Sequence, residues 1–83
     1  MPEFSASPKS LITIDCRGLF CPVPIIRTAR ALRFAEPGTV VELLADDPGV
    51  PGDMEAWSKG TGNRIVQSSR EEGGIFRFRV QKS

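Results

Sequence analysis

An α/β two-layer sandwich in the order βαβαββ, a four-stranded mixed sheet with two helices on one face, is the fold class this sequence predicts. Three observations lead there. Residues 11–15 and 39–45 are short β-branched or apolar runs, and between them the apolar residues return at three- and four-residue spacing. That pattern is a strand, a helix and a second strand, which pairs the two strands in parallel. After a second helical stretch, residues 64–68 and 75–80 read as strands joined around Glu71-Glu72-Gly73-Gly74, a hairpin signal that pairs them antiparallel. In the last strand Phe76, Phe78 and Val80 fall on one face and Ile75, Arg77 and Arg79 on the other, so one face of the sheet is expected to be covered and one wet.

The first strand, Leu11-Ile12-Thr13-Ile14-Asp15, ends at a turn through Cys16-Arg17-Gly18, where Gly18 supplies a positive φ or lets another backbone come close. From Pro22, Ile25, Ile26, Ala29 and Leu32 form the apolar stripe of the first helix, with Arg27, Arg30 and Arg33 on its wetter side. Pro37-Gly38 stops it. The second strand is almost continuously apolar, which suggests burial on both faces or a place at the sheet centre. Asp46-Asp47-Pro48 then reads as a cap ahead of the second helix. Gly49, Pro51 and Gly52 loosen its first turn, so regular helix is expected nearer Asp53, with Met54, Trp57 and Ala56 on its buried side and Gly60-Thr61-Gly62 at its end.

The 83 residues hold one domain, with residues 1–10 expected as a disordered polar tail and residues 11–83 as the folded unit. Eleven basic against 10 acidic residues give a net charge of +1, which leaves no footprint for direct nucleic-acid binding or for an anionic membrane. No run approaches the roughly 20 apolar residues of a membrane span, and the start lacks the apolar core of a signal peptide. A cytoplasmic monomer is the expectation. The chain has two cysteines and no histidine, so neither a metal site nor Cys-His catalysis is expected, and no cofactor.

The chemistry concentrates at Cys21. It stands directly before Pro22-Val23-Pro24, and prolines in the first helical turn cost no hydrogen bond because the N–H groups there have no partner within the helix. A sulfur at a helix N-terminus with Arg17 and Arg27 nearby is expected to ionise below the usual thiol value, as a nucleophile or sulfur carrier does. Leu19 and Phe20 flank it, and an exposed apolar residue there suits docking of a partner, as do Arg17 and Arg27. Asp46-Asp47 as an acid-base pair is the weaker alternative to capping, and Cys16 reads as a small residue in a turn.

The string Asp15-Cys16-Arg17-Gly18-Leu19-Phe20-Cys21-Pro22-Val23-Pro24 resembles the signature of the TusA/SirA-like sulfur-carrier family, whose first helix starts with Cys-Pro-x-Pro. Asp47-Pro48, Asp53-Met54 and Trp57 are similar to the family's residues further along, so the likeness spans residues 12–80. It implies the same fold and a sulfurtransferase that carries sulfane sulfur as a persulfide on Cys21. Gly18, Pro22 and Pro24 would support the helix start. The implied partners are a cysteine desulfurase or rhodanese-like donor and a downstream acceptor protein, in tRNA thiolation, molybdenum cofactor assembly or sulfur oxidation. Many members carry a second cysteine after the aromatic of the second helix and a histidine near the next strand, where this chain has Ser58 and Asn63. The other class open to the sequence is a noncatalytic redox-sensing or regulatory module using Cys16 and Cys21.

Overall fold

In the computed structural model, which describes residues 10–83, the strands are β1 (Leu11–Cys16), β2 (Val40–Ala45), β3 (Arg64–Glu71) and β4 (Ile75–Gln81), and the helices are α1 (Val23–Arg33) and α2 (Val50–Thr61). The expected tail lies outside the described residues except for Ser10, which is exposed. The sheet order is β1-β2-β4-β3, with β1 and β2 parallel and both β2–β4 and β4–β3 antiparallel. The order βαβαββ and the four-stranded mixed sheet are therefore as the sequence implies.

Register explains where the core sits. Ile12, Ile14 and Cys16 of β1 lie opposite Val41, Leu43 and Ala45 of β2, which in turn lie opposite Val80, Phe78 and Phe76 of β4. These inward residues of β2 and β4 are buried, and Cys16 is fully so. On the other face Glu42 of β2 is only 8% exposed, because Arg77 and Arg79 of β4 fold over it with N–O distances of 3.2 and 3.1 Å. The apolar reading of β2 as a strand buried on both faces holds, with an ion-paired carboxylate completing the second face. β3 contributes least: an irregularity between Ile65 and Gln67 turns Val66 out, and Ile65 packs against the core.

Both helices differ from the sequence expectation in an instructive way. The side of α1 that is fully buried runs Pro24, Thr28, Leu32, each four residues from the next, while Ile26 is 44% exposed. Thr28 can take a core position because its hydroxyl donates to the Pro24 carbonyl at 2.9 Å, which leaves no orphan polar group. α2 begins at Val50 rather than near Asp53. Pro51 sits in the first turn, where its missing N–H costs nothing, so the proline and glycines do not delay the helix. Val50 and Met54 are buried and Trp57 is partly so, whereas Ala56 points out.

The consequence for stability is testable. Leu32→Ala removes a side chain that is 1% exposed and is expected to cost about 2–5 kcal/mol, while Ile26→Ala should stay within about 0.5 kcal/mol of the parent. Denaturant midpoints of the two variants check this, and equal losses would return Ile26 to the core.

Candidate functional site

Parallel pairing puts the carboxyl ends of β1 and β2 side by side, so the β1–α1 and β2–α2 loops must meet at one end of the sheet. Cys21 lies in the first loop and Asp46 and Asp47 in the second. Gly18, at φ 81°, turns the chain in the left-handed region with nothing within 4 Å of where a Cβ would be, so the positive φ and not close packing is what requires glycine. Its N–H donates to both carboxylate oxygens of Asp46, at 3.0 and 3.1 Å. The Cys21 N–H donates to Asp47 Oδ2 at 2.7 Å, and the Gly49 N–H donates to Asp47 Oδ1 at 2.9 Å.

Asp47 is therefore a brace between the two loops. It makes no side-chain cap on α2, whose cap position is Gly49, and this corrects the capping expectation for Asp46-Asp47. The carboxylate is held below its ordinary value by the N–H groups of Gly49 and Cys21. The Asp-Asp step ahead of a glycine at the end of a strand that pairs with the cysteine strand was the available signal.

The Cys21–Pro22 peptide is cis, and Pro22, not Cys21, is the cap residue of α1. Its carbonyl accepts the first helix bond from Ile26 N–H at 3.0 Å, and Pro24 lies within the first turn. Cys21 is half-buried and in no disulfide. Gly49, the cap residue of α2, comes close: a side-chain carbon there would lie 3.9 Å from the Cys21 sulfur.

The electrostatics run against the expectation of a thiolate. Burial, a hydrogen bond to Asp53, and the charges of Asp53 and Asp47 push the Cys21 thiol up to about 11. The arginines do not help it. Arg17 is turned onto Asp15 in a forked pair at 2.9 and 2.7 Å, which holds the Asp15 carboxyl at about 2, and Arg27 acts on the Cys16 thiol. Sequence proximity put both arginines beside the sulfur, and side-chain direction removed them.

Cys16 corrects another expectation. It ends β1 instead of opening a turn, and it is fully buried among core side chains with its thiol pushed up by that burial. A sensor built on Cys16 and Cys21 would need a thiol that solvent does not reach. Leu19 packs against the core, while Phe20 is 77% exposed, with Val23 and Ile26 exposed on the neighbouring turn of α1. Ser58 and Asn63 lie at the far end of α2, where the Ser58 hydroxyl donates to the Asn63 carbonyl and Asn63 Oδ1 accepts the Ser83 N–H at 3.0 Å. Among the described residues no group of three His, Cys, Asp or Glu is placed to hold a metal ion, and no helix is long and apolar enough to cross a membrane.

The family model for Sulfurtransferase TusA matches residues 12–82. The chain belongs to the TusA family. The sulfur carrier protein TusA of Allochromatium vinosum is 43% identical over 70 residues, covering 84% of this chain and 91% of that one. The protein YrkI of Bacillus subtilis is 40% identical over 74 residues, covering 89% of this chain and 97% of its own length. A crystal structure of a SirA-like protein from Desulfitobacterium hafniense superposes with a TM-score of 0.75 at 30% identity, over 84% of this chain and 95% of that one. The resemblance read from residues 12–80 is thus the family, and the fold is the fold of its SirA-like members. Sulfur transfer is the coarse activity that this membership supports.

Proposed function

We propose that this protein is a TusA-type sulfur carrier in which Cys21 receives sulfane sulfur as a persulfide and hands it to an acceptor protein. The observation that carries the proposal is the placement of Cys21: the half-buried thiol, in no disulfide, at the meeting point of two strand-to-helix loops, braced through its own N–H and with the exposed Phe20, Val23 and Ile26 close to it in the chain. Chemically the site needs little else. The Cys21 sulfur attacks the outer sulfur of a donor persulfide R–S–SH, the new S–S bond forms as the donor's S–S bond breaks, and R–S⁻ takes up the proton that Cys21 gives up. The products are Cys21–S–SH and R–SH, with no net oxidation.

A cysteine desulfurase or a rhodanese-like protein would serve as donor, and the route served would be tRNA thiolation, molybdenum cofactor assembly or sulfur oxidation. Residues 11–83 would act as one carrier unit, as a monomer in the cytoplasm. Phe20 with Val23 and Ile26 gives a partner apolar surface next to the sulfur, and Arg27 lies on the same helix. Arg17, occupied by Asp15, is a weaker docking residue than its position in the sequence suggests.

Intact mass after incubation with a cysteine desulfurase and cysteine, and in parallel with a loaded rhodanese, tests the proposal. One added sulfur, about 32 Da and removed by dithiothreitol, is the expected result. No gain from either donor would sink it, and loss of two hydrogens under mild oxidant with no sulfur gain would favour the sensor.

A further inference from the structure

The two edges of the sheet are unequal. β3, at one edge, is largely polar, exposed along nearly its whole length and interrupted by the irregularity between Ile65 and Gln67, devices that keep an edge from pairing with another chain. β1, at the other, has no proline, lysine or irregularity, and its one charge, Asp15, is taken up by Arg17. The Val40 N–H donates to the Ser10 carbonyl at 2.9 Å, which sets the alternation: Ile12 and Ile14 turn their backbone groups to β2, and Leu11, Thr13 and Asp15 turn theirs outward. Among the described residues nothing pairs with that outward row. One side of α1 borders the same edge. A groove lined by Ile12, Ala31, Phe34 and Ala35, with Glu36 also on its wall, separates the strand from the helix. Val23, Arg27, Ala31 and Ala35 follow one another at four-residue spacing and Arg30 precedes Phe34 by four, so both arginines lie on the groove side of α1. Arg27 and Arg30 are exposed, α1 has no acidic residue, and neither arginine has an ion-pair partner among the described residues.

We infer that the β1 edge and the groove beside α1 dock an extended acidic segment of a partner protein, which adds to the four-stranded sheet as a further strand next to β1. The outward N–H and C=O groups of Leu11, Thr13 and Asp15 supply the main-chain bonds. Apolar side chains of the segment that turn to the helix side meet Ile12 and the 89% exposed Phe34, and carboxylates among them meet Arg27 and Arg30. Charge decides the occupant. Two copies of this chain joined through β1, with their helices on one face, would set Arg27 and Arg30 of each against those of the other, with no acid on α1 to separate them. A basic segment would meet the same repulsion. The docking rests on the edge and the charge and does not require that Cys21 carry sulfur.

The test adds peptides of about eight residues, within the ordinary length of a strand, to the isotope-labelled full chain and follows its amide resonances. One peptide alternates valine and glutamate, a second alternates valine and lysine, and a third is the first with its backbone N–H groups methylated. The glutamate peptide should shift the amides of Leu11, Thr13 and Asp15 and those of Arg27 and Arg30, and should bind less tightly as salt rises. Its affinity should fall about 3- to 10-fold in the double variant Arg27→Gln with Arg30→Gln, as the loss of two exposed charge pairs allows. The lysine and methylated peptides should leave the β1 amides unmoved. Thr13→Pro should abolish binding in a folded protein, because the Thr13 N–H points out of the sheet and an edge proline there removes no sheet bond. A melt checks its fold, and the arginine variant decides the matter if Thr13→Pro does not fold. No shift of the β1 amides by the glutamate peptide at millimolar concentration, equal binding of the lysine peptide, or undiminished binding of the methylated peptide or to folded Thr13→Pro would each overturn the proposal. Shifts at β1 that grow with protein concentration in the absence of peptide would overturn it in favour of a second copy. Peptide binding needs no sulfur donor and sulfur loading needs no peptide, so failure here and failure of the carrier reading are told apart.

Discussion

Cys21→Ser is expected to gain no sulfur when incubated with a desulfurase and cysteine, while Cys16→Ser gains the same single sulfur as the parent. The two thiols lie five residues apart in the chain but in different surroundings. Cys21 is half-buried at the loop junction and within reach of a docked partner, whereas Cys16 is 0% exposed beneath the sheet and opposite Ala45. A persulfide on Cys16 would have to place an additional sulfur atom in a close-packed interior. The Cys16→Ser variant should show its effect in stability instead, because a hydroxyl without a partner in that core costs about 1–3 kcal/mol. Mass spectra of the loaded variants and their melting temperatures check both halves. Loading that survives in Cys21→Ser and vanishes in Cys16→Ser would reverse the assignment and place the chemistry inside the core.

What the sequence made legible was the chain order of the elements and the alternation of the last strand. Alternation in the last strand picked out Phe76, Phe78 and Val80, all buried, and the strand-helix-strand order put a cysteine at the carboxyl end of a parallel strand. What it hid depends on direction in space. Hydropathy placed Ile26 inside and passed over Thr28, because it does not register a hydroxyl that satisfies itself on the preceding turn. Arg17 and Arg27 sit near Cys21 in the chain, which is what predicts a lowered thiol value. One arginine is held by Asp15 and the other acts on Cys16, and what raises the thiol is burial, helped by the carboxylates of Asp53 and Asp47, more than 25 residues further along. A loop read as a cap turned out to be the neighbour of the cysteine loop, a contact the parallel order already implied.

That contact yields the second large effect. Asp47→Ala is expected to slow sulfur loading about 100-fold, because it removes the acceptor of both the Cys21 N–H and the Gly49 N–H and frees the sulfur from the position where those two loops hold it. Asp47→Asn keeps one oxygen that can accept either N–H, so its loading should fall between the parent and the alanine variant. Acid should act on the parent in the same direction. The Asp47 carboxyl titrates below its ordinary value of 3.8 in the folded protein, so the brace is fully present above that value and is lost as the pH falls through the depressed one. Loading rates for the three proteins, taken with a saturating donor at neutral pH, decide the matter together with melts that show each is folded. An Asp47→Ala rate within about threefold of the parent would mean that the cis Cys21–Pro22 turn and Gly18 hold the sulfur in place unaided, and that the Asp47 bonds are incidental to transfer.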